Sequence, residues 1–152
     1  MRKHCKRKRR PLLTDPVGFV VEGAAITSQA MLDKLRIRDL AAIEAFVKGH
    51  GGLQEWSDIN AIQSIAETMA LGGIGPEALP ACQAAEKALW DCARQFEDRQ
   101  TMILRADGIK AFRELYEYHD LQRTSISRAE YERWIQKAAN RVRSKGKGVV
   151  TL

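Results

Sequence analysis

Five amphipathic stretches, separated by glycine and proline, constrain the fold of this chain more than any other feature. In each stretch the apolar residues recur mostly every three or four positions, which is the period of a helix with one buried face. No stretch shows the strict alternation of apolar and polar residues that is typical of a strand. The sequence therefore predicts an all-α fold, a compact bundle of about five helices with short connections.

The first two predicted helices span residues 28–48 and 53–71. Glycines follow each of them and favour the end of a helix, as "KGHGG" after the first and "GG" after the second. In the first helix, the residues expected to face the core are Leu32, Leu35, Leu40, Ile43 and Val47. In the second helix, the corresponding residues are Trp56, Ile59, Ile62, Ala66 and Met69.

The next two predicted helices begin after a loop and after a capping residue. The third starts at Pro76 or Pro80 and runs to residue 99, because proline suits a first helical turn and no helix interior. Its inward residues are Ala78, Cys82, Ala85, Leu89, Cys92 and Phe96. The fourth spans residues 108–121 with Asp107 as its N-cap. Its inward residues are Ile109, Phe112, Leu115 and Tyr116.

The fifth predicted helix has the strongest start signal in the chain. Ser127 and Glu130 form an S-x-x-E capping box, in which each side chain bonds the free backbone N–H of the other residue. The apolar stripe that follows consists of Tyr131, Trp134, Ile135, Ala138 and Val142. We expect Trp134 and Ile135 to anchor this helix in the core.

The net charge of +6 hides a division of charge along the chain. Residues 1–10 carry seven basic side chains, residues 11–122 carry ten basic and seventeen acidic ones, and residues 123–152 carry eight basic and two acidic ones. This pattern predicts three parts: a basic flexible arm over residues 1–15, a helical domain over 16–143 and a basic flexible tail over 144–152. Such basic ends fit a polyanion, the acidic body of the same chain, or a neighbouring copy in a homo-oligomer.

Two groups of cations are candidate phosphate contacts. On the fifth helix, four basic residues recur every four positions and drift only about 40° around the helix at each step. The same row also fits a solvated face, since cations are favoured near a helix C-terminus. Together with the arm, the candidate nucleic-acid-binding residues are Arg2, Lys3, Lys6, Arg7, Lys8, Arg9, Arg10, Arg128, Arg133, Lys137, Arg141 and Lys145.

The segment "YEYHDLQRTSISRAEYERW" also fits a helix-turn-helix motif. In that interpretation the fifth helix presents Arg128, Glu130 and Arg133 to a major groove. Two arguments weigh against it. The turn lacks the glycine that such motifs often contain, and two helices joined by a short turn occur in any bundle.

No catalytic constellation appears in the sequence, so we expect a non-enzymatic protein without a cofactor. Four residues lie close together in sequence: Glu114, Glu117, His119 and Asp120. On a helix His119 points about 100° away from Asp120 and shares no three- or four-residue spacing with Glu117, so a metal site is not expected. The cysteines have no zinc-binding or disulfide pattern and are expected to be reduced thiols: Cys5, Cys82 and Cys92.

The sequence carries no signal for secretion or for a membrane span. The apolar segment after residue 10 is broken by two prolines and two acidic residues, which leaves no h-region of a signal peptide. No run approaches the roughly 18–20 continuous apolar residues of a spanning helix, so no membrane partner is expected. In a eukaryote, "KRKRRP" would be a candidate nuclear localisation signal, or nuclear address.

Five stretches of the chain resemble one family. The sequences "MRKHCKRK", "EGAAIT", "LDKLRIRDLAAIEAF", "GIGPEALPAC" and "YHDLQRTSISRAEYE" are similar to those of short, mostly uncharacterised proteins encoded by phages and prophages of proteobacteria. The resemblance spans nearly the whole chain. It implies a bacterial cytoplasm and an accessory gene, which removes the nuclear-address interpretation, and it carries over no functional residues.

Two hypotheses of different class follow from these observations. The first is a non-enzymatic accessory protein that binds DNA or RNA through the basic arm and the final helix. The second is a protein–protein interaction module that inhibits or modulates a host or defence complex through a helical face, with the acidic body against a basic partner surface.

Overall fold

The computed structural model describes residues 28–144, and over this range the chain is an all-α bundle without a strand. The helices are α1 (Gln29–Val47), α2 (Leu53–Leu71), α3 (Leu79–Arg99), α4 (Ala106–Thr124) and α5 (Arg128–Arg143), and a short 3₁₀ turn (Pro76–Ala78) leads into α3. The predicted fold class and the order of the five helices are confirmed. The predicted arm and all of the predicted tail beyond residue 144 lie outside the described residues.

The core consists of two clusters that share α2. The larger cluster joins α1, α2, α3 and α4 around fully buried residues such as Ile59, Leu89, Phe112 and Leu115. The smaller cluster attaches α5 to another side of α2 through Ile65, Met69, Tyr131 and Ala138. Helix α5 therefore packs chiefly on α2 and leaves its other side open.

Local chemistry explains where the helices begin. The Ser28 hydroxyl accepts a hydrogen bond from the Met31 amide at 3.4 Å, and the Ser127 hydroxyl accepts one from the Glu130 amide at 3.2 Å. The prediction for α4 was wrong in one detail, because the N-cap is Arg105 and Asp107 lies in the first turn. There the Asp107 carboxylate accepts a hydrogen bond from the Gly108 amide at 3.0 Å, which satisfies one of the free N–H groups of the helix start.

The inward face of α1 differs from the prediction. Leu32 and Ile43 are buried as expected, but Leu40 and Val47 are exposed. In their place Asp39 is completely buried, at 0% exposure, in line with Ala42 and Phe46. The positions of apolar residues alone cannot identify this buried face of α1, because the residue at its centre is an aspartate. A buried carboxylate requires a buried cation as its partner.

Trp134 is half-buried, so it is not the core residue that we expected. Its indole ring lies directly against Gly72, at the C-terminal end of α2, where a Cβ atom would overlap the ring. The absence of a side chain at Gly72 thus allows α5 to approach the end of α2 closely. Ile135 is also partly buried against the smaller cluster.

Candidate nucleic-acid interface

The outward side of α5 is a polar and basic surface, which we call the α5 face. It consists of the exposed side chains opposite the buried pair Tyr131 and Ala138: Arg133, Gln136, Lys137, Asn140 and Arg143. These positions follow spacings of three and four residues, so a straight helix presents them on one side. Three anchors beneath the helix determine which way this face points.

The first anchor joins the start of α5 to a buried polar cluster between α1 and α4. Tyr131 is buried, and its hydroxyl lies 3.1 Å from Nε2 of His119, which is itself 1% exposed. The two rings are tilted at 46° with centroids 5.9 Å apart. This contact fixes the first turns of α5 against α4.

Arg123 is the centre of that buried cluster. Its Nη1 lies 2.6 Å from Oδ2 of the buried Asp39, and its Nη2 lies 2.8 Å from Oδ1 of Asp120. Asp120 also accepts hydrogen bonds from Arg36 on α1, at 3.0 Å from Nε and 2.8 Å from Nη2. Arg38 pairs with Asp39 from the solvent side at 2.9 Å. Two carboxylates and three guanidinium groups therefore bind α1 to α4.

The electrostatics of this cluster lower the pKa of the Asp120 carboxyl and that of the His119 imidazole. Burial raises the pKa of Asp120, but the hydrogen bonds from Arg36 and Arg123 outweigh burial and hold that pKa below its usual value. Burial, together with the positive charge of Arg123, lowers the pKa of His119 to about 4. His119 is therefore neutral near pH 7 and serves as a packing and hydrogen-bonding group.

The second anchor is the contact of Trp134 with Gly72 at the C-terminal end of α2. On the outward side of the same ring, the ammonium group of Lys137 lies 3.8 Å from the ring centroid. This cation–π contact holds the charge of Lys137 at a defined position on the α5 face.

The third anchor lies near the end of α5. Arg141 Nη1 lies 2.7 Å from Oε2 of Glu67 on α2, and both side chains are largely buried. Glu67 also lies 3.4 Å from Nε2 of Gln63, which in turn lies 3.4 Å from the Cys82 carbonyl oxygen. Burial and then the negative charge of Glu67 raise the pKa of the Cys82 thiol to about 12, so this cysteine stays protonated and unreactive near pH 7.

The predicted site residues divide into three groups. Arg133 and Lys137 are exposed on the α5 face. Arg128 is about half exposed and pairs with Glu132 at 3.1 Å, whereas Arg141 is bound to Glu67. The remaining candidates, the arm residues Arg2 to Arg10 and Lys145, lie outside the described residues. Phosphate contact by any of these residues stays a prediction.

The α5 face includes three residues that the spacing of basic residues does not indicate. The three residues are Gln136, Asn140 and Arg143. The row of basic residues at four-residue intervals does not include the two amides, and it does not include Arg143, which lies three residues after Asn140. A count of polar side chains around the helix could have found them, since the buried stripe of α5 was predicted correctly at Tyr131 and Ala138.

Three further findings concern the described range. No helix within residues 28–144 is long and apolar enough to cross a bilayer. Within the same range, no three His, Cys, Asp or Glu side chains are grouped in a way that could hold a metal ion. The two described cysteines, Cys82 and Cys92, are buried free thiols.

Comparison with known proteins adds no functional assignment. The chain matches no model of a known protein family, no curated protein and no solved structure.

Proposed function

We propose that this protein is a non-enzymatic, phage-type accessory protein that binds nucleic acid through the α5 face and the basic segment over residues 1–10. One observation carries the proposal: Arg133, Lys137 and Arg143 are exposed on one side of a helix whose other side is anchored in the bundle. Cationic side chains on one ridge are the electrostatic footprint of a phosphate-binding surface.

Neutralisation of nearby acidic groups supports the same proposal. Glu132 pairs with Arg128, and Glu67 pairs with Arg141, so these two carboxylates have intramolecular partners beside the α5 face. The cations of the face have no such partner among the described residues, apart from the ring contact of Lys137. Their charge is thus available to a polyanion.

The test is a binding measurement with the full chain and fluorescent duplex or single-stranded DNA at moderate salt. The variant Arg133→Gln, Lys137→Gln, Arg143→Gln removes three charges from the α5 face. We expect it to weaken binding at least tenfold, as counterion release by about three phosphate contacts would be lost.

A matched control removes the same charge elsewhere. Lys87, Lys110 and Arg113 are exposed on α3 and α4, and their combined change to Gln is expected to weaken binding far less. Equal losses in the two triple variants would show that only net charge matters. No binding by the unaltered chain would refute the proposal.

A second candidate function rests on a different surface. Ile37, Leu40 and Val47 are exposed apolar residues of α1, with Ile37 at 69% exposure, and exposed apolar side chains suit contact with another protein. This observation favours the interaction module that acts on a host or defence complex. Capture of one host protein from nuclease-treated lysate should then be lost with Ile37→Glu, Leu40→Glu. It should persist with the control Leu71→Glu, Leu121→Glu, which changes two other exposed leucines.

A further inference from the structure

We propose that the α5 face enters the major groove of duplex DNA and reads base edges through Gln136 and Asn140. This inference rests on the proposed function and goes beyond it, because phosphate contacts alone position a protein without reading sequence. It names duplex DNA as the partner and two amides as the specificity-determining residues.

The two amides occupy the centre of a cationic surface. Gln136 and Asn140 are four residues apart and both exposed, and neither side chain forms a hydrogen bond within residues 28–144. Arg133 precedes them by one helical turn and Arg143 follows by one, while Lys137 lies beside them. An arrangement of central amides and flanking cations allows phosphate contacts on both walls of a groove and base contacts at its floor.

Amide side chains match the chemistry of base edges. Each carries an acceptor oxygen and a donor NH₂ group, and this pair is complementary to N6 and N7 of adenine in the major groove. The flanking arginines match O6 and N7 of guanine or the phosphates. With 16 residues, α5 is about 24 Å long, and the B-DNA major groove is wide enough to admit a helix.

The structure favours a duplex of DNA over the other nucleic acids. The described part of the α5 face has no exposed aromatic ring on which unpaired bases could stack, since Trp134 faces Gly72 and is covered by Lys137. Double-stranded RNA has a major groove too deep and narrow for a helix. The three anchors also hold α5 in one orientation, which a base-reading helix requires.

The experiment uses the full chain and two kinds of duplex. First, a pool of randomised DNA duplexes is selected for binding to the unaltered chain and to the variant Gln136→Ala, Asn140→Ala. We expect the unaltered chain to enrich a sequence motif. We expect the variant to lose at least about 30-fold of the preference for that motif while it keeps its affinity for random duplex, because it removes two base contacts of about 1 kcal/mol or more each.

The second duplex carries the enriched motif with glucosylated 5-hydroxymethylcytosine, which fills the major groove and leaves the phosphates unchanged. We expect binding at least about tenfold weaker than to the plain motif, because α5 can no longer reach the bases. The control variant Gln54→Ala, Gln83→Ala changes two exposed amides on α2 and α3 and should retain the full preference. Circular dichroism should give the same helix content for all variants.

The outcomes separate this inference from the proposed function. Duplex binding with no enriched motif would overturn major-groove reading and leave a phosphate binder, and so would equal affinity for the plain and the glucosylated motif. A preference that survives Gln136→Ala, Asn140→Ala would also overturn it. Failure to bind any duplex or single strand would refute the inference and the proposed function together.

Discussion

Asp39 joins α1 to α4 through a buried ion pair. Its carboxylate is fully buried and lies 2.6 Å from the guanidinium of Arg123, which is 1% exposed. Removal of one member of such a pair leaves the other charge buried with fewer partners, and the cost exceeds that of replacing both.

We therefore expect Asp39→Asn to lower the free energy of unfolding by about 3–5 kcal/mol. Urea denaturation followed by circular dichroism measures this loss. Asp33→Asn, at an exposed acid on the same helix, should change stability by no more than about 0.5 kcal/mol. The double variant Asp39→Leu, Arg123→Met should be more stable than Asp39→Asn, and a less stable double variant would contradict this account of the pair.

His119 should make the stability of the protein depend on pH. Its pKa is about 4 in the fold and about 6.5 in an unfolded chain, so the unfolded chain takes up the proton first as the pH falls. Stability is then full above pH 6.5 and declines toward pH 4, with a slope of up to about 1.4 kcal/mol per pH unit. The charged and titratable groups around the ring are Asp39, Asp120, Arg123 and Tyr131.

Urea unfolding at a series of pH values measures this slope. His119→Gln removes the titrating ring and should flatten the decline between pH 6.5 and pH 4, whatever it does to the absolute stability. His50→Gln, in the exposed turn after α1, is the matched control and should keep the decline. An unchanged slope in His119→Gln would show that other groups cause the acid sensitivity.

At the scale of the element, α5 is held by a contact that requires a glycine on α2. The backbone of Gly72 has an ordinary φ of −83°, so alanine would be conformationally acceptable there. The added Cβ would nevertheless overlap the indole ring of Trp134. The ring is rigid and cannot yield as the end of a flexible side chain would.

Gly72→Ala is therefore expected to destabilise the protein by about 1–3 kcal/mol, which is the usual cost of overpacking. It should also shift the fluorescence of Trp134, compared in a background where the other two tryptophans are changed to Phe. Gly52→Ala is the control, because its Cβ would meet only the carboxylate end of Glu55 at 3.3 Å. Equal stability of the two glycine variants would argue against close packing of α5 on α2.

The elements differ in how well their sequence predicts them. For α2 every residue predicted to face inward is buried, because this helix lies at the centre of the bundle and its stripe is uniformly apolar. For α1 the stripe failed at Leu40 and Val47, because the buried side includes Asp39, whose partner Arg123 is 84 residues away. Helical periodicity detects local patterns and cannot reveal a pair of that separation.

In the candidate site, too, local spacing predicts some features and long-range contacts determine others. Spacing along one helix correctly predicted that Arg133 and Lys137 would share an exposed side. The pairing of Arg141 with Glu67 joins residues 74 positions apart, and sequence spacing could not separate this anchoring residue from its exposed neighbours. The orientation of α5 thus depends on tertiary contacts, whereas the shared exposed side of Arg133 and Lys137 follows from helical spacing.

At the scale of the whole molecule, charge is concentrated and the body is nearly neutral. Residues 28–144 carry sixteen basic and seventeen acidic side chains, while residues 1–10 carry seven basic side chains and no acidic one. The α5 face and residues 1–10 are two regions where basic side chains outnumber acidic ones. If both bind one polyanion, their contributions to counterion release should add.

We expect the affinity of the full chain for duplex DNA to fall linearly with salt on logarithmic axes, with a slope of about −0.9 for each phosphate neutralised. Deletion of residues 1–10 should make the slope shallower, and so should Arg133→Gln, Lys137→Gln, Arg143→Gln. The combined variant should make the slope shallower by the sum of the two single changes, because separate contacts release separate counterions. Fluorescence anisotropy at several salt concentrations gives all four slopes. A deletion with the slope of the full chain would exclude residues 1–10 from the interface, and the α5 face would then account for the remaining phosphate contacts.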